Sequence, residues 1–300
     1  MRNILLFLLM LMGLAATAQE KYESITVGGL KREFVTYVPT GFTGNDKLPV
    51  VISLHGRLGT AERQMKFADF KPIADREKFI IVCPQGINRS WNDGRGTPAH
   101  KKGIDDVHFI DELIKFIIKN YHADDSRVYV AGMSNGGFMA SRLACELNEH
   151  IAAIAVVGAS MDKQEDYTPK NMPVMYIQGT KDPLVPFEGG AMKKGAGGSI
   201  YGHEELLKQW AAVDSCKEKP VITNLPVKID DGTSVIKEEY RNKYSPEVVG
   251  YTIIGGGHTW PGGTQYLPKA IIGPASHNLN ACEVIWDFFK HFRKVYSAVN

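Results

Sequence analysis

The chain has 300 residues, enough for one large α/β domain or two small ones and for a substantial buried core. Its 35 basic and 33 acidic side chains leave a net charge of +2, with lysines spread among acids. That balance excludes the charge footprint of a nucleic-acid binder and directs attention to a neutral substrate, small or polymeric.

Residues 1–18 are of a different kind. Arg2, the apolar run Ile4 to Leu11 and Ala16-Thr17-Ala18 form a basic n-region, an h-region too short for a comfortable membrane span, and a small-x-small cleavage site. The expectation is a signal peptide cut after Ala18, a mature chain without a membrane span, and a secreted or periplasmic location. A retained anchor is the alternative, but no stop-transfer charge follows Ala18. Export permits disulfides. Cys83, on an apolar strand, and Cys145, on a helix, read as buried thiols; Cys216 and Cys282 are better placed for a bridge. Four cysteines allow three pairings, and their spacing does not resemble a zinc site.

From Tyr22 to Pro39 apolar positions alternate around Gly28-Gly29, predicting an antiparallel hairpin. Leu48 to Leu54 is a continuous apolar run, typical of a strand buried on both faces, and it ends in His55-Gly56-Arg57. An HG turn at the end of a buried strand presents backbone amides at the sheet rim, and we assign chemistry to the amide that follows, that of Arg57, the His55 ring being a packed or hydrogen-bonded group. Ala61 to Lys78 reads as a helix and Phe79 to Pro84 as a strand. The polar, glycine-rich loop Gln85 to Gly96 follows a strand end, where such sheets build a binding crevice. Its Trp91 could stack on a flat ring or anchor the loop. Thr97 to Gly103 reads as a solvated loop, and Asp105 to Tyr121 as a helix with acids at its start.

Arg127 to Ala140 combines a β-branched and aromatic strand with a helix, joined by Gly132-x-Ser134-x-Gly136. This is the nucleophile-elbow pattern. Serine occupies a strained turn, and glycines let strand and helix backbones pass closely. After the strand Ile151 to Val157, a further strand from Pro173 ends in Gly179-Thr180-Lys181-Asp182-Pro183, which places the Asp182 carboxylate past the sheet edge. Phe187 to Tyr201 is a glycine-rich loop, Tyr201 to Val213 an amphipathic helix, and residues 217–252 carry three strand-like segments. His258 then lies in Gly255-Gly256-Gly257-His258-Thr259-Trp260-Pro261-Gly262-Gly263, free to turn inward, and Glu283 to Tyr296 closes the chain as a helix. Ser134, Asp182 and His258 stand in the Ser, Asp, His order of α/β-hydrolases. With no repeat, low-complexity tract or linker, residues 19–300 read as one α/β catalytic domain: a mostly parallel sheet with an antiparallel N-terminal hairpin and helices on both faces.

These motifs together resemble the secreted α/β-hydrolase esterases that include feruloyl and acetyl xylan esterases of carbohydrate esterase family 1 and the extracellular polyhydroxybutyrate depolymerases. The carriers are Leu54-His55-Gly56, Trp91-Asn92, Asp106-Val107, Arg127 to Gly137, Gly179 to Asp182 and Gly257 to Gly262, spanning about Thr36 to Phe292. The resemblance implies Ser134 as nucleophile, Asp182 and His258 as its partners, the amides of Arg57 and Asn135 as oxyanion hole, and no metal or organic cofactor. Arg57 departs from the pattern, since many depolymerase-like members carry cysteine there; this weighs against a polyester substrate. Expected partners are an ester-bearing polysaccharide or oligosaccharide, with Trp91 and Trp260 lining an open cleft. A polyhydroxyalkanoate depolymerase is the alternative enzyme, and a secreted carbohydrate-binding protein without turnover the alternative of another class.

Overall fold

Alternating burial in Gln19–Val27 (β1) and Leu30–Val38 (β2), with Gly28 and Gly29 at positive φ between them, makes an antiparallel hairpin. The structure, a computed structural model, describes residues 19–42, 44, 46–163, 167–193, 195–243 and 246–295, so the expected signal peptide lies outside the described residues. Val50–Leu54 (β3), Ile80–Pro84 (β4), Val128–Met133 (β5), Ala153–Val157 (β6) and Val174–Gly179 (β7) are buried along their whole length, as strands covered on both faces must be. Two short strands, Gly190–Ala191 (β8) and Ser199–Ile200 (β9), pair apart from the main sheet. Val221–Asn224 (β10), Ser234–Arg241 (β11) and Pro246–Ile254 (β12) complete it.

The ten-stranded sheet runs β1-β2-β4-β3-β5-β6-β7-β12-β11-β10. Its six central strands are parallel, and antiparallel strands form both edges. The alternation of side chains along each strand feeds two cores. Val128, Val130, Ile154 and Val156 point to the face covered by Asp106–Tyr121 (α4), Asn135–Glu146 (α5) and His203–Val213 (α6). Tyr129, Ala131, Ala153 and Ala155 point to the face covered by Ala61–Phe67 (α1), Lys71–Glu77 (α2) and Ala281–Phe289 (α7), where Tyr129 stacks on Phe289 at 4.8 Å. Among the described residues no helix is long and apolar enough to cross a membrane.

Four expectations change. Ala61–Lys78 is two helices, because Ala68 caps the first and Pro72, which has no N–H to donate, suits the first turn of a new one. Thr97–Gly103 contains a short helix, Pro98–Lys101 (α3), whose first turn is capped by Thr97 Oγ1. The closing helix begins at the Asn280 cap and ends at Phe289, earlier than the apolar spacing suggested. Cys216 and Cys282 form no bridge, and all four cysteines are free thiols. Cys216 packs against the α4–α5–α6 side of the sheet and Cys282 against the other, so the sheet separates them. Burial pushes the Cys145 and Cys282 thiols up to about 12.

Candidate active site

Ser134 terminates β5 with φ 55 and ψ −123, a conformation that costs a non-glycine residue about 1–3 kcal/mol. The turn closes because its neighbours lack side chains. A Cβ on Gly132 would lie 2.2 Å from the Gly136 carbonyl oxygen, and one on Gly136 would lie 2.4 Å from that of Leu54. Ser134 stands at the N-cap of α5 without using its hydroxyl as a cap, and its amide donates to Val157 O at 3.0 Å. The amide of Asn135 makes no hydrogen bond to any described residue and lies at the positive end of the α5 dipole.

The turn after β3 packs onto this elbow, since a Cβ on Gly56 would sit 3.5 Å from Ser134 Cβ. Its orientation is fixed by the buried His55 ring. His55 Nδ1 donates to Gly56 O at 2.8 Å, and His55 Nε2 accepts from the Gly86 amide at 3.0 Å, which selects the Nδ1–H tautomer. Gly59 N also donates to Gly56 O. A trans peptide is planar, with C=O and N–H pointing opposite ways, so holding Gly56 O aims the Arg57 N–H away from the His55 ring. Burial pushes His55 down to about 4, which keeps it neutral in this role at neutral pH.

Asp182 and His258 meet at the same end of the sheet. His258 Nδ1 donates to Asp182 Oδ2 at 2.7 Å, and Asp182 Oδ1 accepts the amides of Leu184 and Val185, each at 2.8 Å. Both side chains are buried, at 3% and 0% exposure, so the carboxylate is oriented by three donors in a site that water barely reaches. Gln178 Nε2 donates to Val185 O and Pro186 O, bracing the acid's loop against β7.

Gly158 connects this pair to the elbow. It follows Val157, which accepts the Ser134 amide, and it has φ 56. A Cβ there would lie 3.3 Å from His258 Nδ1 and 3.7 Å from Asp182 Oδ2. Ser134 and the Asp182–His258 pair thus share one rim, although no hydrogen bond joins Ser134 to His258 among the described residues. Such bonds are often long before substrate is bound.

The sequence profile described as esterase PHB depolymerase matches residues 32–195, more than half of the chain. The chain belongs to this family. NocK of Nocardia uniformis subsp. tsuyamanensis, provisionally assigned as an esterase, is 27% identical over 91% of this esterase-family chain and 83% of its own length. Feruloyl esterase B of Piromyces equi is 29% identical over 76% of this chain, which spans 42% of that protein's length. The acetyl xylan esterase from Aspergillus awamori superposes with a TM-score of 0.59 at 17% identity, covering 80% of this chain and 94% of that one, and it shares the α/β-hydrolase fold.

In this PHB depolymerase family member neither tryptophan is placed to line an open cleft, and Trp91 takes the other role open to it, that of a loop anchor. Trp91 and Trp260 are 0% and 1% exposed. Trp91 lies beside the His55 ring, 4.9 Å between centroids, and its indole N–H donates to His55 O at 2.9 Å. Trp260 packs edge-on against Phe67 and Phe70. Burial of so much aromatic surface outweighs the gain from presenting it to solvent.

Sequence reasoning also missed the polar groups behind the elbow. The Asn135 carboxamide bridges Trp91 N, Trp91 O and Asp93 Oδ2, and Asp93 pairs with buried Arg95, whose guanidinium lies 3.3 Å from the Phe138 ring centroid. Arg32 and Asp106 form a buried ion pair, and Asp106 also accepts the Asn92 amide. One signal was legible. Arg32 takes an inward position of β2, in phase with Phe34 and Thr36, where a charge requires a partner.

Proposed function

We propose that this chain is a serine carboxylic-ester hydrolase with Ser134 as nucleophile, His258 as general base, Asp182 as the orienting acid, and the amides of Arg57 and Asn135 as the oxyanion hole. The strongest support is the buried hydrogen bond between His258 Nδ1 and Asp182 Oδ2, packed on Gly158 beside the strained Ser134 turn. With Nδ1 donating, His258 Nε2 holds the lone pair that takes the Ser134 proton as Oγ adds to the ester carbonyl. The tetrahedral oxyanion receives the two amides, and collapse expels the alcohol, protonated by His258. Water attacks the acyl-enzyme by the same route in reverse and releases the carboxylic acid. Labelling of the purified protein by a fluorophosphonate, abolished in Ser134→Ala, is the expected result; retained labelling in that variant removes Ser134 from the mechanism, and no labelling of the wild type favours a protein without turnover.

The substrate class we favour is feruloyl or acetyl esters of plant cell-wall polysaccharide. Support comes from similarity to the feruloyl esterase and from four apolar side chains that are 41% or more exposed: Leu58 in the turn after Arg57, and Tyr266, Leu267 and Ile271 in the segment after His258, Ile271 on the short helix Lys269–Ile272. Exposed apolar side chains in the two segments that also carry Arg57 and His258 suit an aromatic acyl group. Turnover of methyl ferulate and acetylated xylan tests it, with hydroxybutyrate oligomers as the competing arm. A protein isolated from culture fluid or periplasm with Gln19 at its N-terminus would support export, and a retained residue 1 would overturn it.

A further inference from the structure

The proposed oxyanion hole takes its two amides from loops that are 78 positions apart in sequence, Arg57 and Asn135. The two amides add their stabilisation of one oxyanion only if both point at the same spot, so the distance between the loops must be fixed. Trp91 occupies that place. Its backbone is gripped from the elbow side, where Asn135 Oδ1 accepts Trp91 N at 2.8 Å and Asn135 Nδ2 donates to Trp91 O at 3.1 Å. Its indole N–H reaches the other loop and donates to His55 O at 2.9 Å. The strut is itself held: Thr97 Oγ1 donates to Trp91 O, and the Asn135 carboxamide is completed by Asp93. His55, Trp91, Asp93, Thr97 and Asn135 are all buried, so the bonds that join them are not exchanged for water.

We infer that Trp91 is a positioning residue that sets the separation of the two oxyanion donors, with the Asn135 side chain as its anchor. Asn135 thereby serves twice, its amide facing the reacting carbonyl and its carboxamide holding the strut. This deepens the esterase reading and rests on it. Trp91 touches no substrate. Its effect falls on the transition state, where the negative oxygen forms, and hardly at all on ground-state binding.

The test uses Trp91→Phe, which keeps an aromatic ring and removes the N–H, and Asn135→Ser, which keeps the elbow amide and shortens the anchor. For each, kcat, KM and the inhibition constant of a trifluoromethyl ketone, which forms a tetrahedral oxyanion adduct on serine, are measured beside Tm. The expected result is a fall in kcat of roughly tenfold to a hundredfold, KM within about twofold of wild type, and weaker ketone inhibition in proportion to the loss in kcat. Wild-type kcat in both variants, or a kcat loss without the parallel loss in ketone inhibition, overturns the inference. Should Trp91→Phe not fold, Asn135→Ser decides by the same criteria. Activity surviving in Ser134→Ala would instead defeat the esterase mechanism itself, so the two failures are told apart.

Discussion

Asp182 and His258 are 76 residues apart in sequence and share a 2.7 Å hydrogen bond in a nearly water-free site. The carboxylate's other oxygen is occupied by the amides of Leu184 and Val185, so its orientation does not depend on the imidazole. Replacing Asp182 by Asn should therefore leave the loop folded while presenting an N–H or a weaker acceptor to His258. We expect kcat to fall by roughly 10⁴ with little change in Tm. Steady-state kinetics and calorimetry check this, and a loss below tenfold would mean that His258 is not held by Asp182 during turnover.

Gly158 offers a more local probe of the same pair. Alanine there must adopt φ near 56, and its methyl group would press on the His258 ring, 3.3 Å from Nδ1. The backbone cost is about 1 kcal/mol, read as a lower denaturation midpoint. Displacement of the imidazole should lower kcat by about tenfold or more with KM little changed. Unaltered kcat would show that the ring has room to move without consequence.

Arg32 and Asp106 are 2% and 0% exposed, and the pair supports the loop carrying Trp91 through the Asn92 amide. Arg32→Met leaves a buried carboxylate without its cation and should destabilise the fold by about 3–5 kcal/mol. The double variant Arg32→Met, Asp106→Leu should recover much of that loss. Urea denaturation of the four members of the cycle measures the coupling; additive effects would show that the ion pair contributes nothing specific.

His203 is buried, stacks on Phe187 at 5.0 Å, and has neither ring nitrogen bonded to a described residue. Burial pushes both His203 and His55 down to about 4, below the ordinary 6.5 of an unfolded chain. Between those values the unfolded state binds more protons. Stability therefore rises with pH in that window and is lost as pH falls from 6.5 toward 4. His203→Phe should flatten this acid limb and raise stability at pH 5 by about 2 kcal/mol. Superimposable Tm–pH curves for variant and wild type would rule the histidine out as an acid-sensitive element.

How far the amino-acid order reaches can be judged residue by residue. Alternation identified the N-terminal hairpin, continuous apolar runs the buried strands, and glycine placement the Ser134 turn, because strand patterning and a backbone without Cβ are local requirements. The order Ser134, Asp182, His258 was likewise legible, each residue following a recognisable strand end. Helix breaks were legible in part: Pro72 was visible, yet the apolar spacing of Ala61–Lys78 ran across it.

Trp91 and the cysteines mark the other limit. An aromatic residue in a polar loop looks the same whether it faces water or fills a core, and here its direction is set by His55 and Asn135, 36 and 44 positions away. Cys216 and Cys282 are plausible partners along the chain, but which face of the sheet each side chain meets depends on helices that pack only after the strands have assembled. The sequence by itself determined the α/β alternation, the elbow and the chain order of the candidate triad. Tertiary structure alone decided that Trp91 is a buried strut, that Arg32 pairs with Asp106 and that the thiols stay apart. Local periodicity dictates which side of an element is apolar, whereas the partner meeting that side is chosen by long-range packing.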